Sequence, residues 1–418
     1  MKKYEKYIKK LKKETGHFQL NAVTNENCEL NFEGKSIKNF RHGNSTDFFL
    51  KVYIGKREGS SYSSVLDDNL INNAIKTAEN SPEKEYFYGL PKPRSYRFKS
   101  GQDAKLRNMD IKDMVNISKR IIKKINKKKV ILNSGSLILN KSKIRLINSN
   151  NIDVTDEGLN FGVNIEASSS DSISDYEDYY FDNKFFDAGK TADNVNRKVM
   201  EFLKASGLNK KADVVIIRPK ALVSLLNYGF LPNLRGDNYE KNKSLFSGKM
   251  NKKILDKNIT IIDDNSLKGG INSEKCDYEG TPSMKTVLIS KGILKNVIFD
   301  YNTALHNNKK STSNSSLFGI DFSNVIIKGD NIKEPDNAII IDTIMGAHTS
   351  DSITTDFSVH VQKAYLKDKD KLIPVTDFMI SGSVTDLLNK SVGFAGKEEQ
   401  REGIYTKSLV TEGVNVIV

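Results

Sequence analysis

Ile261-Ile262-Asp263-Asp264, Cys276-Asp277-Tyr278-Glu279-Gly280-Thr281-Pro282, Val287-Leu288-Ile289, Gly292-Ile293-Leu294-Lys295, Asp300-Tyr301-Asn302-Thr303-Ala304 and Ser311-Thr312-Ser313-Asn314 follow one another in one dense stretch. Its reading decides the fold. Two apolar, β-branched runs, Met284 to Ile289 and Ile293 to Phe299, flank Ser290-Lys291-Gly292. That short connection has a glycine available for positive φ, and it predicts a hairpin. Gly280 and Pro282 punctuate the entry. From Ala212 onward the pattern is mostly β, with one helix predicted over Lys220 to Phe230.

Working outward, the first half reads as α/β. Phe18 to Phe32, Ser36 to His42 and Thr46 to Gly55 are expected as short strands. An amphipathic helix is expected from Asp67 to Asn80, with Leu70, Ile71, Ala74, Ile75 and Ala78 on one face. A second helix starts at Asp110, a suitable N-cap, and places Met114, Ile117, Ile121 and Ile125 on one side. Strands follow at Val130 to Leu139, Lys143 to Asn148 and Leu159 to Ser168. A helix from Asp187 to Leu208 bridges to what comes next. The expectation is a two-domain α+β protein, with an N-terminal α/β domain with a mixed sheet over 1–208 and a mostly β domain over 209–418.

The chain has 418 residues, 38% of them hydrophobic, and a prior of about 150 residues per domain allows two or three domains. No apolar run is long enough to span a bilayer, and the basic start leads into no apolar segment, so neither membrane span nor signal peptide is predicted. Cys28 and Cys276 lie far apart and outside any CxxC, which suits a reducing cytoplasm. The formal net charge of +13 comes mostly from lysines. These sit around apolar helix stripes, including Lys119 to Lys128, and read as solvated outer faces rather than a nucleic-acid groove. Ser168 to Asn183 is different. It carries Asp171, Asp175, Glu177, Asp178 and Asp182 among Tyr176, Tyr179, Tyr180 and Phe181, without lysine or arginine. It reads either as a contact surface for a basic partner or peptide, or as a hairpin whose aromatics pack on the adjoining domain.

The order of motifs in the opening stretch resembles the C-terminal domain of the TldD/PmbA family, which includes the two subunits of a metallopeptidase complex. In the metal-bearing branch, a helix with HExxxH and a cysteine near the C-terminus hold zinc. The matching helix here follows Val214-Val215-Ile216-Ile217 and reads Leu225-Leu226-Asn227-Tyr228-Gly229-Phe230-Leu231. By this resemblance the histidine positions are Leu226 and Leu231, the glutamate position is Asn227, and Ala395 stands where the cysteine would be. Alkyl side chains offer zinc no lone pairs. The resemblance therefore implies a zinc-less PmbA/TldE-like member, with no cofactor expected, inactive alone and pairing with a metal-bearing TldD-like paralogue to support proteolysis of peptides or unfolded proteins. An alternative is a stand-alone homodimer that binds peptides at sheet edges; nucleic-acid binding ranks third. Glycines usual in the family are replaced by Ser313 and Thr355, and none follows at Lys363-Ala364.

Other chemistry is tested against spacing. Gly34-Lys35-Ser36 and Gly189-Lys190-Thr191 end like P-loops, but Glu29 and Lys184 stand where the first glycine must be. No GxSxG occurs. His348 and His360 are too far apart in sequence for a helical metal pair and leave only a long-range one. Asp263, Asp264, Asp277, Glu279 and Asp300 could do acid/base work. Asp277, Glu279, Gly280 and Asp300 stand as candidate peptide contacts, but loop-ordering hydrogen bonds to backbone amides explain them more economically. If the lysine-rich helices are solvated faces, DNA binding is weak and collapses with added salt. Tight, salt-resistant binding in a filter or anisotropy assay would contradict this.

Overall fold

The computed structural model describes residues 2–96, 103–125, 129–170, 174–210 and 212–417. Asp171 of the acidic segment and Lys127 and Lys128 of the basic helix lie outside them. Strands β1 (His17–Glu33), β2 (Ser36–Ile54), β3 (Arg57–Ser63), β4 (Val130–Asn148), β5 (Asp153–Ser169) and β6 (Asp175–Asp182) form one sheet in the order β3-β2-β1-β4-β5-β6. It is antiparallel throughout. The strands are longer than their local sequence suggests. Gly43, Asn44 and Ser45, which separate two expected strands, pair instead with Asn27, Glu26 and Asn25, so β2 runs through them. On the other side of β1, Asn140, Lys141 and Ser142 carry β4 past its expected break in the same way. Pairing on both flanks overrides weak local propensity.

One face of this sheet is covered by helices in two groups. Helices α1 (Lys2–Glu14) and α2 (Asp68–Asn80) cover one end. The Asp67 carboxylate caps α2 by accepting from Leu70 N at 2.9 Å, and Leu70, Ile71, Ala74 and Ala78 are buried. Gly59 of β3 lets the helix come close, since a Cβ there would lie 2.1 Å from Ala74 O. The other end is covered by α4 (Ile111–Ile125) and α5 (Ala188–Phe202), with the short α3 (Ala104–Arg107) ahead of them. The apolar stripe of α4 is buried as its spacing requires. Asp110 accepts from Asp113 N at 3.0 Å, and Asp113 accepts from Asp110 N at 3.2 Å, a reciprocal cap. The bridge helix α5 stops at Phe202, short of Leu208, because Ser206–Gly207 turns to pair with Lys371–Thr376.

The second half is a thirteen-stranded sheet, and the mixed pairing falls here. Val325–Lys328 runs parallel to Ile404–Thr411, and Asn337–Met345 parallel to Val215–Ile217. The hairpin forms between Lys285–Ser290 and Ile293–Leu294, with Lys291 at φ 47° and Gly292 at φ 76°. Its second strand is shorter than expected. Val297, Ile298 and Phe299 are buried without continuing the ladder, because Ile298 exchanges hydrogen bonds with Leu234 O and Gly236 N at 2.9 and 2.8 Å. The predicted helix is α6 (Pro219–Leu225) followed by a widened turn. Short helices at Gly236–Glu240, Tyr301–His306 and Val384–Asn389 are additional, each too brief for periodicity to reveal. No helix among the described residues is long and apolar enough to cross a membrane.

A polar joint ties the halves together. Lys198 of α5 donates to Asp342 Oδ1 on the central strand of the second sheet, and Tyr176 of β6 donates to Asp342 Oδ2 at 2.8 Å. Burial would raise the Asp342 carboxyl, but the charge and hydrogen bond of Lys198, with Tyr176, hold it below its ordinary value. Nearby, Asp178 accepts from Arg401 Nη1 at 2.8 Å and Asn194 Nδ2 at 3.0 Å, while Lys363 pairs with Asp175 at 3.0 Å. The acidic aromatic segment thus meets its basic counterpart in the same chain. Replacing Lys198 by Met leaves a buried carboxylate unpaired, which costs about 3–5 kcal/mol. Urea unfolding should show that loss for Lys198→Met, and most of it regained in the Lys198→Met/Asp342→Asn double variant.

Candidate functional site

Two adjoining cavities, of about 350 and 330 Å³, share Asn272, Asp321, Phe322 and Ser323; the larger lies between the two sheets and the smaller is lined by the second half alone. The larger is walled on one side by Asn21, Ile144, Leu146 and Asp156 of the first sheet, and on the other by Cys276, Asp277, Tyr278 and Ser313 to Ser316. The smaller reaches Asn227, Tyr228, Leu231 and Glu402. Together they form one groove running from the buried carboxylates to the end of α6.

The carboxylates are held by the loops they order. Asp277 accepts from Glu279 N, Thr281 N and Ser315 N at 3.0, 2.8 and 3.2 Å. Glu279 accepts from Tyr301 N at 2.9 Å, and Asp300 caps the following helix through Thr303 N at 2.7 Å. Gly280, at φ 92°, lets this loop meet the first sheet, since a Cβ would lie 2.8 Å from Ile152 Cδ1. Asp263 accepts from Asn314 Nδ2, Ser323 N and Ser323 Oγ at 2.7, 2.9 and 3.0 Å, yet burial pushes its pKa up to about 6. Asp264 instead caps its own turn through Ser266 N at 3.0 Å. Burial also raises Glu279, and the carboxylates of Asp300 and Asp277 raise it further. Burial raises Asp277 as well, and its three amide donors offset only part of that rise, so of the two carboxyls Glu279 is the one that holds its proton more firmly. Cys276 lines the groove, where burial and then Asp277 and Glu274 push its thiol far above the range of a nucleophile.

At the other end, the chain after α6 widens: Leu231 N–H donates to Leu226 O, five residues back. A turn closing on the fifth residue puts positions five apart on one face, where an ordinary α-helix would splay them by about 140°. The sequence gives no sign of this widening. Leu226 and Leu231 are 0% and 3% exposed and belong to the apolar core of the second half. Asn227 Nδ2 donates to Glu402 Oε2 at 2.9 Å, and the same carboxylate accepts from Tyr179 Oη of β6. Ala395 is buried too, but with Ile216 and Val410. Their strand neighbours Ile217 and Leu409 belong to the core of Leu226, so Ala395 lies across the sheet from the helix. Ala395 therefore does not converge with the other three positions, and the side chains present do not fit zinc.

The two positions where the resemblance expects glycine have a backbone that favours it. Ser313 has φ 63° and Thr355 has φ 69°, conformations that cost a β-branched residue most. Buried hydroxyl bonds offset the strain: Ser313 Oγ donates to Thr281 O at 2.7 Å, and Thr355 Oγ1 bonds Ser383 Oγ and Thr385 Oγ1 at 2.7 and 2.9 Å. His360 pairs with Asp377 at 3.6 Å and His348 lies edge-on to Tyr228, so each has a local partner of its own. Glu402 escaped the sequence reading; its only signal is the Glu402-Gly403 turn pair, with both residues at positive φ.

Residues 210–418, half of the chain, match the family model described as the PmbA/TldA metallopeptidase C-terminal domain. An uncharacterized protein of Methanocaldococcus jannaschii is 29% identical over 98% of each chain. A protein of Buchnera aphidicola named metalloprotease TldD homolog is 31% identical over 46% of this chain and 45% of its own. The crystal structure of TldE from Thermococcus kodakarensis superposes with a TM-score of 0.89, covering 99% of this chain and 100% of that one. At 22% identity it shows a shared fold alone.

The proton on Glu279 has a consequence for stability. The native state keeps a proton that the unfolded chain loses in the ordinary carboxylate range near about 4. Its folded pKa is raised, so its contribution is full below that range and falls as pH rises toward the native pKa. Unfolding midpoints measured from pH 5 to pH 8 should fall for the wild type. Glu279→Gln should flatten that slope, and an unchanged slope would count against the assignment.

Proposed function

We propose, because this chain belongs to the PmbA/TldD metallopeptidase family, that it is the zinc-less subunit of a TldD/TldE-type peptidase complex. The observation that carries the reading is the end of α6. Both histidine positions are leucines sunk in the core, and the glutamate position is an asparagine whose amide is tied to Glu402. A helix end so packed contributes shape and no metal chemistry. The chain then acts by pairing with a metal-bearing TldD-like paralogue and shaping the chamber that holds peptides or unfolded protein. Its own groove, with backbone turns and buried carboxylates along it, suits contact with an extended peptide. Both cysteines are free, and we place the complex in the cytoplasm.

The reading of a stand-alone homodimeric peptide binder draws on the same groove and differs in its partner. Light scattering at micromolar concentration separates the two. Mixing with the metal-bearing paralogue should give a heterodimer whose peptidase activity exceeds that of the paralogue alone, while this chain alone cleaves no peptide with or without added zinc. A chain that ignores the paralogue and self-associates would support the peptide-binding module, and cleavage by the isolated chain would overturn both.

A further inference from the structure

We propose that Glu26, Cys28 and His42, on the first sheet and away from α6, form a binding site for a divalent transition ion of the zinc type. Glu26 and Cys28 are two residues apart on β1 and so point to the same face. His42 of β2 is directly opposite Cys28. Among the described residues these three offer ligand atoms that all lie within 4.8 Å of one another.

The spacing suits a small coordination shell. With zinc–nitrogen and zinc–oxygen distances of about 2.0–2.1 Å and zinc–sulfur of about 2.3 Å, the edges of a tetrahedron are roughly 3.3–3.7 Å. His42 Nε2 is already 3.6 Å from Glu26 Oε1, so side-chain rotation alone can close the set. The backbone beneath it is held, because β1 is paired along its length with β2 and β4. A set of one thiolate, one imidazole and one carboxylate favours zinc-like ions over magnesium or calcium, which take oxygen donors.

The position is accessible without being merely superficial. Cys28 is partly buried against the core under α4 and α5. The α1–α2 cover ends further along the same strand, at Ala22. In the gap between the two covers, a cavity of about 290 Å³ opens beside Glu26, lined by Thr24, Arg107, Lys141 and Glu157 among others. Water reaches the Glu26 side of the set from it, and the exposed His42 side is open to solvent, so a water can serve as the fourth ligand, as in zinc sites with three protein ligands. Lys141 is the counter-evidence built into the site: its Nζ lies 3.7 Å from the same Glu26 oxygen. That ammonium must swing away before an ion binds, so it should weaken binding measurably.

The test is cobalt(II) titration of the metal-stripped full chain, followed by zinc competition. The expected result is one ion per chain, with visible bands of a four-coordinate ion, a thiolate-to-cobalt charge-transfer band, and loss of both on adding zinc. Cys28→Ser should remove the charge-transfer band. His42→Ala, at an exposed strand position, should weaken binding by about tenfold or more, and Lys141→Met should tighten it. Circular dichroism checks that each variant folds, and if Cys28→Ser does not, the His42 and Lys141 variants decide. No cobalt spectrum at millimolar metal, or a spectrum unchanged in His42→Ala and Lys141→Met, would overturn the site. So would a charge-transfer band that persists in folded Cys28→Ser, because it would point to Cys276. None of these outcomes bears on pairing with a paralogue, since the site shares no residue with the end of α6.

Discussion

The Asp342 carboxylate, buried between the two halves and held by Lys198 and Tyr176, is the interaction on which the groove depends. A carboxylate in that position is tolerable only with partners supplied from across the interface. Its partners come from α5 and β6, the elements that end the first half. Asp178 with Arg401 and Tyr179 with Glu402 extend the same joint to the Glu402-Gly403 turn beside α6. This joint ties the two sheets together beside the larger cavity, along with the apolar cluster that joins Phe202 of α5 to Ile216 and Val410.

Seen from that joint, the two ends of the groove have opposite characters. One end keeps ionisable groups, but most are engaged with backbone amides, and a proton stays on Glu279 because several carboxylates share a dry space. The other end keeps the widened helical turn, a backbone shape suited to presenting two side chains on one face, and fills it with leucines. Ser313 and Thr355 make the same point, for each holds a glycine-like backbone and uses its hydroxyl to offset the strain.

Periodicity and turn chemistry sufficed for the elements whose stability is local. The stripe of α4, its Asp110 cap and the Ser290-Lys291-Gly292 turn were legible because each rests on residues within a turn or two of one another. That Leu226, Leu231 and Ala395 carry no metal donor was legible too, because a lone pair is a property of the residue itself, but that Ala395 stands apart from the other two was not. The run of β2 through Gly43 to Ser45 was not, since its hydrogen bonds come from β1. Nor was the shortened hairpin strand, whose amides are claimed by Leu234 and Gly236.

The sequence by itself determined which groups could never coordinate, which stripes had to be buried and where the chain could turn. Only the tertiary structure decided that the acidic segment meets Arg401 and Lys363 of its own chain, that Ala395 lies across the sheet from Leu226, and that Cys28 faces His42. The physical reason is the same in each case. Composition and spacing set the energy of a residue against its chain neighbours, whereas charge pairing, sheet face and donor convergence are set by residues brought together from distant parts of the chain, and those become neighbours only when the sheets assemble.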